Sequence, residues 1–190
     1  MKRRHLHQLL ASLALVGLVG CATVAPPAPP APAASDPLAR SYAGRLAVQV
    51  DGDEARSFSA GFDLQGTDVR GQLALTSPIG TQVGRAVWQP GSVRWQTADG
   101  ERRFDNLDDL SQDLLGEAVP LAALFDWMAG RPWAGLPSRP LSATPGDAAQ
   151  TGFRQLGWEV QTGRVADGVI VAQRRLPAPT LTVRIKLDTP

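Results

Sequence analysis

The chain has 190 residues, 43% of them hydrophobic, and near-balanced charge with 19 basic and 18 acidic side chains. That length is enough to bury a sizeable core, and the balance gives no electrostatic reason to bind nucleic acid. Its histidines, His5 and His7, and its single cysteine, Cys21, all fall at the start. The rest of the chain therefore has no material for Ser-His-Asp or Cys-His catalysis or for a zinc site of His and Cys ligands.

Lys2, Arg3 and Arg4 precede an apolar run from Leu9 to Gly20. This is the charge-then-apolar pattern of a secretory signal, and it is too short for the roughly 20 residues a bilayer span needs. The run ends Leu18-Val19-Gly20-Cys21, which resembles the lipobox of bacterial lipoproteins. The resemblance implies cleavage before Cys21, acylation of its thiol and new amino terminus, and a periplasmic domain held on a membrane. Ala22 stands where an aspartate favours inner-membrane retention in enterobacterial lipoproteins, so the outer membrane is expected. Cleavage removes Lys2, Arg3 and Arg4, leaving 16 basic against 18 acidic side chains and a net charge of −2.

Residues 22 to about 40 alternate alanine with Pro26, Pro27, Pro29, Pro30, Pro32 and Pro37, a composition for an extended tether rather than a core. The expected division is a signal peptide over 1–20, a lipidated cysteine and tether over 21–40, and one β domain over 41–190.

Within that domain Leu46, Val48 and Val50 alternate with Ala47 and Gln49, which is strand periodicity. Asp51-Gly52-Asp53 marks a turn. Phe58, Ala60 and Phe62 form a second strand, and Leu73 and Leu75 a third. Val83–Trp88 and Val93–Gln96 flank the hairpin signal Gln89-Pro90-Gly91, and Asp99-Gly100 turns into Arg102–Phe104. The period then lengthens. Asp105 or Asn106 can cap a helix through Leu107, Leu110, Leu114 and Leu115 to Gly116. A second helix begins at Pro120, carries Leu121, Leu124, Phe125, Trp127 and Met128, and stops at Gly130. A Pro-rich loop covers 131–145. Gly152–Leu156, Trp158–Thr162 and Val169–Arg174 read as a second antiparallel group, followed by the regular alternation of Leu181, Val183, Ile185 and Leu187. The pattern predicts a mainly β domain, a strongly bent antiparallel sheet with two short helices over its open side.

The carboxylate groups Asp108-Asp109 and Asp51/Asp53/Glu54 read as a helix start and a solvated turn, and no phosphate loop or dinucleotide fingerprint is present. An enzyme is not expected, and neither is a cofactor or a metal. Two features go beyond a β domain. Thr76-Ser77-Pro78-Ile79-Gly80 is a tight turn whose apolar Ile79 either folds back into the core or stands exposed to meet a membrane or partner. The helix over 120–130 either plugs the core or lines a pocket for an acyl chain.

Gly44-Arg45-Leu46, Leu73-Ala74-Leu75-Thr76-Ser77-Pro78-Ile79-Gly80, Val119-Pro120-Leu121 through Trp127-Met128-Ala129-Gly130, and Arg184-Ile185-Lys186-Leu187 together resemble the outer-membrane lipoprotein receptor family LolB. The resemblance covers about 42–188. It implies a half-open antiparallel β-barrel with short covering helices around a hydrophobic cavity. It also implies acceptance of acylated lipoprotein cargo from the periplasmic carrier LolA, and insertion of that cargo into the inner leaflet of the outer membrane. Ile79 occupies the position of a membrane-engaging leucine, framed by Ser77, Pro78 and Gly80. Candidate cavity residues are Leu46, Val48, Phe58, Phe62, Leu73, Leu75, Val87, Trp95, Leu121, Leu124, Trp127 and Met128. Phe62-Asp63-Leu64 departs from the family, which often has a tryptophan there. A receptor working mouth to mouth is expected to be a monomer. The competing readings are a structural or assembly lipoprotein that binds a protein through edge strands or the 131–145 loop, and a carrier of another lipid.

Overall fold

The computed structural model describes residues 39–141 and 151–188; Cys21, the signal segment and the body of the tether lie outside them. Alternating apolar residues form the strands in the expected order: β1 (Arg40–Val50), β2 (Phe58–Gly66), β3 (Gly71–Thr76), β4 (Gln82–Gln89), β5 (Ser92–Thr97) and β6 (Gly100–Phe104). Two helices follow, α1 (Leu107–Leu115) and α2 (Leu121–Met128), and then β7 (Arg139–Pro140), β8 (Gly152–Gln155), β9 (Trp158–Gln161), β10 (Val169–Arg174) and β11 (Leu181–Leu187). β1 begins at Arg40, one residue inside the span read as tether. The two-residue β7 within the Pro-rich loop has no periodicity to announce it.

The late strands are not a separate group. All eleven belong to one antiparallel sheet in the order β6-β5-β4-β3-β2-β1-β11-β10-β9-β8-β7. β1 joins the halves, pairing with β2 on one side and with β11 from Gly44↔Leu187 to Val50↔Leu181 on the other. Two edges, β6 and β7, remain, so the sheet is a half-open barrel rather than a closed one. Residues Ser35–Pro190 form one compact unit holding the whole sheet, both helices and a single core, which is what an independently folding domain requires.

The helices are set by their ends. Asn106 caps α1 by accepting the Asp109 N–H at 2.8 Å, and Gly116 ends it in the left-handed region at φ 69°. Pro120 stands one position before α2 rather than inside it. α2 is apolar nearly all round and is correspondingly buried, with Ala123, Phe125, Trp127 and Met128 in the core.

One buried amide fastens this cover to the sheet. Gln155 on β8 accepts from Trp127 Nε1 and from the Trp133 N–H, both at 2.9 Å. Its amide nitrogen donates to the carbonyls of Trp133 and Leu136, both at 2.7 Å. Gln155→Leu strands all four groups. The expected loss is about 3 kcal/mol, read in urea as a lower midpoint at unchanged slope.

Candidate functional site

The concave face of the sheet and the two helices do not close on each other completely. A cavity of about 210 Å³ lies under α1, and an adjoining lobe of about 50 Å³ lies under α2. Leu46, Leu73, Leu121, Leu124 and Ile185 border both lobes. The larger exceeds the roughly 150 Å³ at which an apolar protein cavity stays dry and takes a hydrocarbon guest. Apart from the indole of Trp95, Ser111 is the one side chain with a polar group among the described residues lining it. Its hydroxyl is consumed locally, donating to the Asp108 carbonyl at 2.9 Å and accepting the Val119 N–H at 3.0 Å. The wall therefore offers a guest mainly dispersion contacts.

Of the residues expected at the cavity, Leu46, Val48, Phe58, Leu73, Leu75, Trp95, Leu121 and Leu124 line the larger lobe. Phe62 and Met128 line the smaller one. Val87 and Trp127 line neither. Val87 is half-buried on the outward face of β4, whose inward positions are Gly84, Ala86 and Trp88. A Cβ on Gly84 would lie 2.2 Å from the Trp95 ring, so the indole occupies the space that the small residue leaves. Trp127 is wholly buried and packs against Phe153 and Trp158, with ring centroids at 6.3 and 6.2 Å. It is core, held by its bond to Gln155.

The sequence reading missed Leu64, Ala86, Trp88 and Phe125 in the small lobe, and Val83, Leu110, Leu114, Val183 and Ile185 in the large one. Strand parity in β11 was signal enough for Val183 and Ile185. Val83 had none, because a register shift opposes Thr76 to Gln82 and Leu75 to Gly84, leaving Val83 as the extra residue of a bulge. The bulge aims it at the cavity mouth. Phe62 and Leu64 line the smaller lobe together with Trp88 of β4, which brings an indole to it.

Ile79 does not return to the core; it is 90% exposed. The Gly80 N–H donates to the Ser77 carbonyl at 2.9 Å, and Pro78 and Ile79 occupy the two central turn positions. Ser77 N–H reaches the Thr81 carbonyl at 2.7 Å, and its Oγ accepts the Thr81 N–H at 3.1 Å. Gly80 takes φ 86°, which closes the reversal. The turn is thus fixed by its own backbone and holds Ile79 outward. Leu75 before the loop and Val83 after it both line the larger lobe, so the strands that carry the exposed tip also form part of the cavity wall.

Ion pairs pin the cover at both ends. Arg174 Nη2 meets Glu117 at 2.6 Å in the α1–α2 link, with Arg56 on the same carboxylate at 3.6 Å. Asp126 on α2 holds Arg40 of β1 at 2.8 Å and Arg131 at 2.7 Å. Burial pushes the Asp126 carboxyl up, but hydrogen bonds and charge from Arg40 and Arg131 outweigh it and hold it below the ordinary aspartate range. Asp108-Asp109 form the first turn of α1, and Asp53 caps the short turn Glu54–Arg56.

An open antiparallel barrel with a helical cover, an apolar interior and an apolar tip at its mouth defines a protein built to shelter hydrocarbon chains. The comparisons narrow this class. The family described as outer membrane lipoprotein LolB matches residues 39–189. The chain is 32% identical to the outer-membrane lipoprotein LolB of Bordetella petrii, over 80% of this chain and 79% of that one. It is 33% identical to that of Bordetella pertussis, over 79% and 78%, and 31% identical to that of Cupriavidus pinatubonensis, over 77% and 70%. The chain belongs to the LolB family of outer-membrane lipoproteins.

Two outcomes follow from this geometry. Asp126 is depressed in the folded state, so its contribution is complete above the unfolded value near pH ~4 and is lost as pH falls through the lower folded value. Thermal unfolding of Asp126→Asn should match the parent in acid and fall below it as pH rises past that window. Leu124→Trp, which fills the shared wall of both lobes, should weaken binding of a fluorescent fatty acid about tenfold, the equivalent of two excluded methylenes at ~0.8 kcal/mol each.

Proposed function

We propose that the cavity receives the acyl chains of lipoproteins brought by the periplasmic carrier LolA, and that Ile79 conducts them into the inner leaflet of the outer membrane. The family assignment makes the protein an outer-membrane lipoprotein receptor acting in lipoprotein localisation. The observation that carries the finer reading is the exposed apolar tip at Ile79 on the loop between two strands whose Leu75 and Val83 line the cavity.

The energetics call for the tip and the cavity to lie close together. Each methylene exposed to water costs about 0.8 kcal/mol, so releasing acyl chains with dozens of methylenes would cost tens of kcal/mol. Transfer must then be direct, from carrier to cavity and from cavity to bilayer, with affinity rising at each step. Transfer, not bond cleavage, is the work proposed. The lobes together are smaller than the roughly 300–1,000 Å³ of ordinary ligand pockets. Loading therefore pushes the helical cover outward, and the ion pairs at Glu117 and Asp126 are where it must yield. The acyl anchor at Cys21 and the tether through residue 39 would hold the receptor, as a monomer, at the membrane it serves.

The test is handover. LolA loaded with an acylated lipoprotein is mixed with the Ser35–Pro190 unit, and cargo that changes hands is measured, then cargo reaching vesicles. Transfer is expected, and Ile79→Glu should accept cargo normally yet deliver at least tenfold less to vesicles. An absence of handover with folded protein and active carrier would reject the receptor reading. Undiminished delivery by Ile79→Glu would reject the role of the tip alone.

A further inference from the structure

The near-neutral total conceals a segregation of charge. Residues 104–130, which form the helical cover, carry Asp105, Asp108, Asp109, Asp113, Glu117 and Asp126 and no lysine or arginine. The outer wall carries the opposite sign. Arg85 on β4, Arg94 on β5 and Arg103 on β6 are exposed at outward positions, as are Arg45 on β1 and Arg184 and Lys186 on β11. On those strands and the intervening β2 and β3, the outward carboxylates are Asp63 and Glu101 alone.

The wall is also arranged at a cost. Arg94 stands directly opposite Arg103, and Arg45 directly opposite Lys186. Like charges at directly opposed positions destabilise a sheet. Arg103 has Glu101 at 3.3 Å, but Arg45, Arg85 and Arg94 make no ion pair with another described residue. Nothing in the fold requires this placement, and an anionic surface laid against the wall would reward it.

The position relative to Ile79 says which surface. β4 leaves the Ile79 turn at Gln82, and Arg85 lies three residues further on, about 10 Å at ~3.3 Å per residue. On the next two strands Arg94 faces Val87 and Arg103 faces Arg94, so this pair stands two residues, about 7 Å, further from the turn than Arg85. An apolar tip seated at the boundary of headgroups and acyl chains reaches roughly 5–10 Å into the membrane. That depth sets Arg85 nearest the phosphates, with Arg94 and Arg103 about 7 Å behind it on the side of the headgroup layer facing water.

We infer that Arg85, Arg94 and Arg103 form a binding surface for the phosphodiester groups of anionic phospholipids, which orients the barrel on the bilayer with the cavity mouth turned to it. This rests on the reading of Ile79 as the bilayer contact. A docking face for an acidic protein, the carrier included, is the outcome that would replace it.

The experiment measures binding of the Ser35–Pro190 unit, without cargo, to vesicles of phosphatidylcholine alone and of phosphatidylcholine with phosphatidylglycerol. The parent should prefer the anionic vesicles, and the preference should fade with added salt. R85Q/R94Q/R103Q should lose it, by roughly fivefold per arginine removed, while accepting cargo from the carrier at the parental rate. R85K/R94K/R103K should retain most of it, which separates charge from any loss of folding. Ile79→Glu should keep the anionic preference but fail to deliver cargo, so a failure of the receptor reading shows in handover and a failure of this one in vesicle choice. Equal binding to both vesicle types overturns the inference, as does an unchanged preference in the glutamine variant. Slowed acceptance of cargo with intact vesicle preference reassigns the wall to the carrier.

Discussion

The pairing of β1 with β11 is the constraint on which the rest of the structure depends. Two meanders, one before the helices and one after, become a single wall only because the first strand accepts the last along seven residue pairs. The pairing fixes which face of each strand looks inward, since a slip of one residue would exchange the faces. Val48 and Val50 from one end of the domain and Val183 and Ile185 from the other are thereby set on the same concave surface. Closing the chain upon itself also gives both strands partners on each side and leaves only short β6 and β7 as edges.

On that wall the protein keeps two kinds of interior side by side. Around Trp127, Trp158, Phe153 and Gln155 the packing is dense, and every hydrogen-bonding group of the Gln155 amide is used. Around Leu46, Leu73, Leu121 and Leu124 the same classes of side chain border empty space. Those leucines lack neighbours on one side and forgo the dispersion contacts that the dense region enjoys. The dense region anchors α2 and frees the space under α1 to remain unfilled. A guest chain of the kind proposed above would supply the missing contacts, so part of its binding energy would be stored as incomplete packing.

Much of this was legible in the residues. Alternation together with turn signals placed ten of the strands, and cap chemistry at Asn106 and Gly116 placed α1. Where the reading went astray, a physical reason can be named. Val87 was preferred to Trp88 because both are apolar in a run without clear alternation, and the parity is set by Gly84 making room for Trp95. Trp127 was assigned to the cavity because an amphipathic reading cannot tell a helix face that meets space from one that meets Trp158. Pairing between strands more than a hundred residues apart leaves no local mark, so the late strands looked like a second group. The arginine wall escaped because net charge sums over faces that the fold separates.

The direction of β1 has a mechanical consequence. β1 and β3 run the same way, both antiparallel to β2, so Arg40 opens the domain at one end and Ile79 crowns the other. If Cys21 carries the anchor, as proposed above, the anchored chain would enter β1 at the end of the barrel opposite Ile79. Presenting Ile79 to the same membrane would then require the intervening residues to span the height of β1. Its eleven residues rise about 36 Å at ~3.3 Å each. The eighteen residues between Cys21 and Arg40 can reach about 60 Å at full extension. That contour length exceeds the height of β1, so an anchor at Cys21 would leave either end of the barrel able to face the membrane.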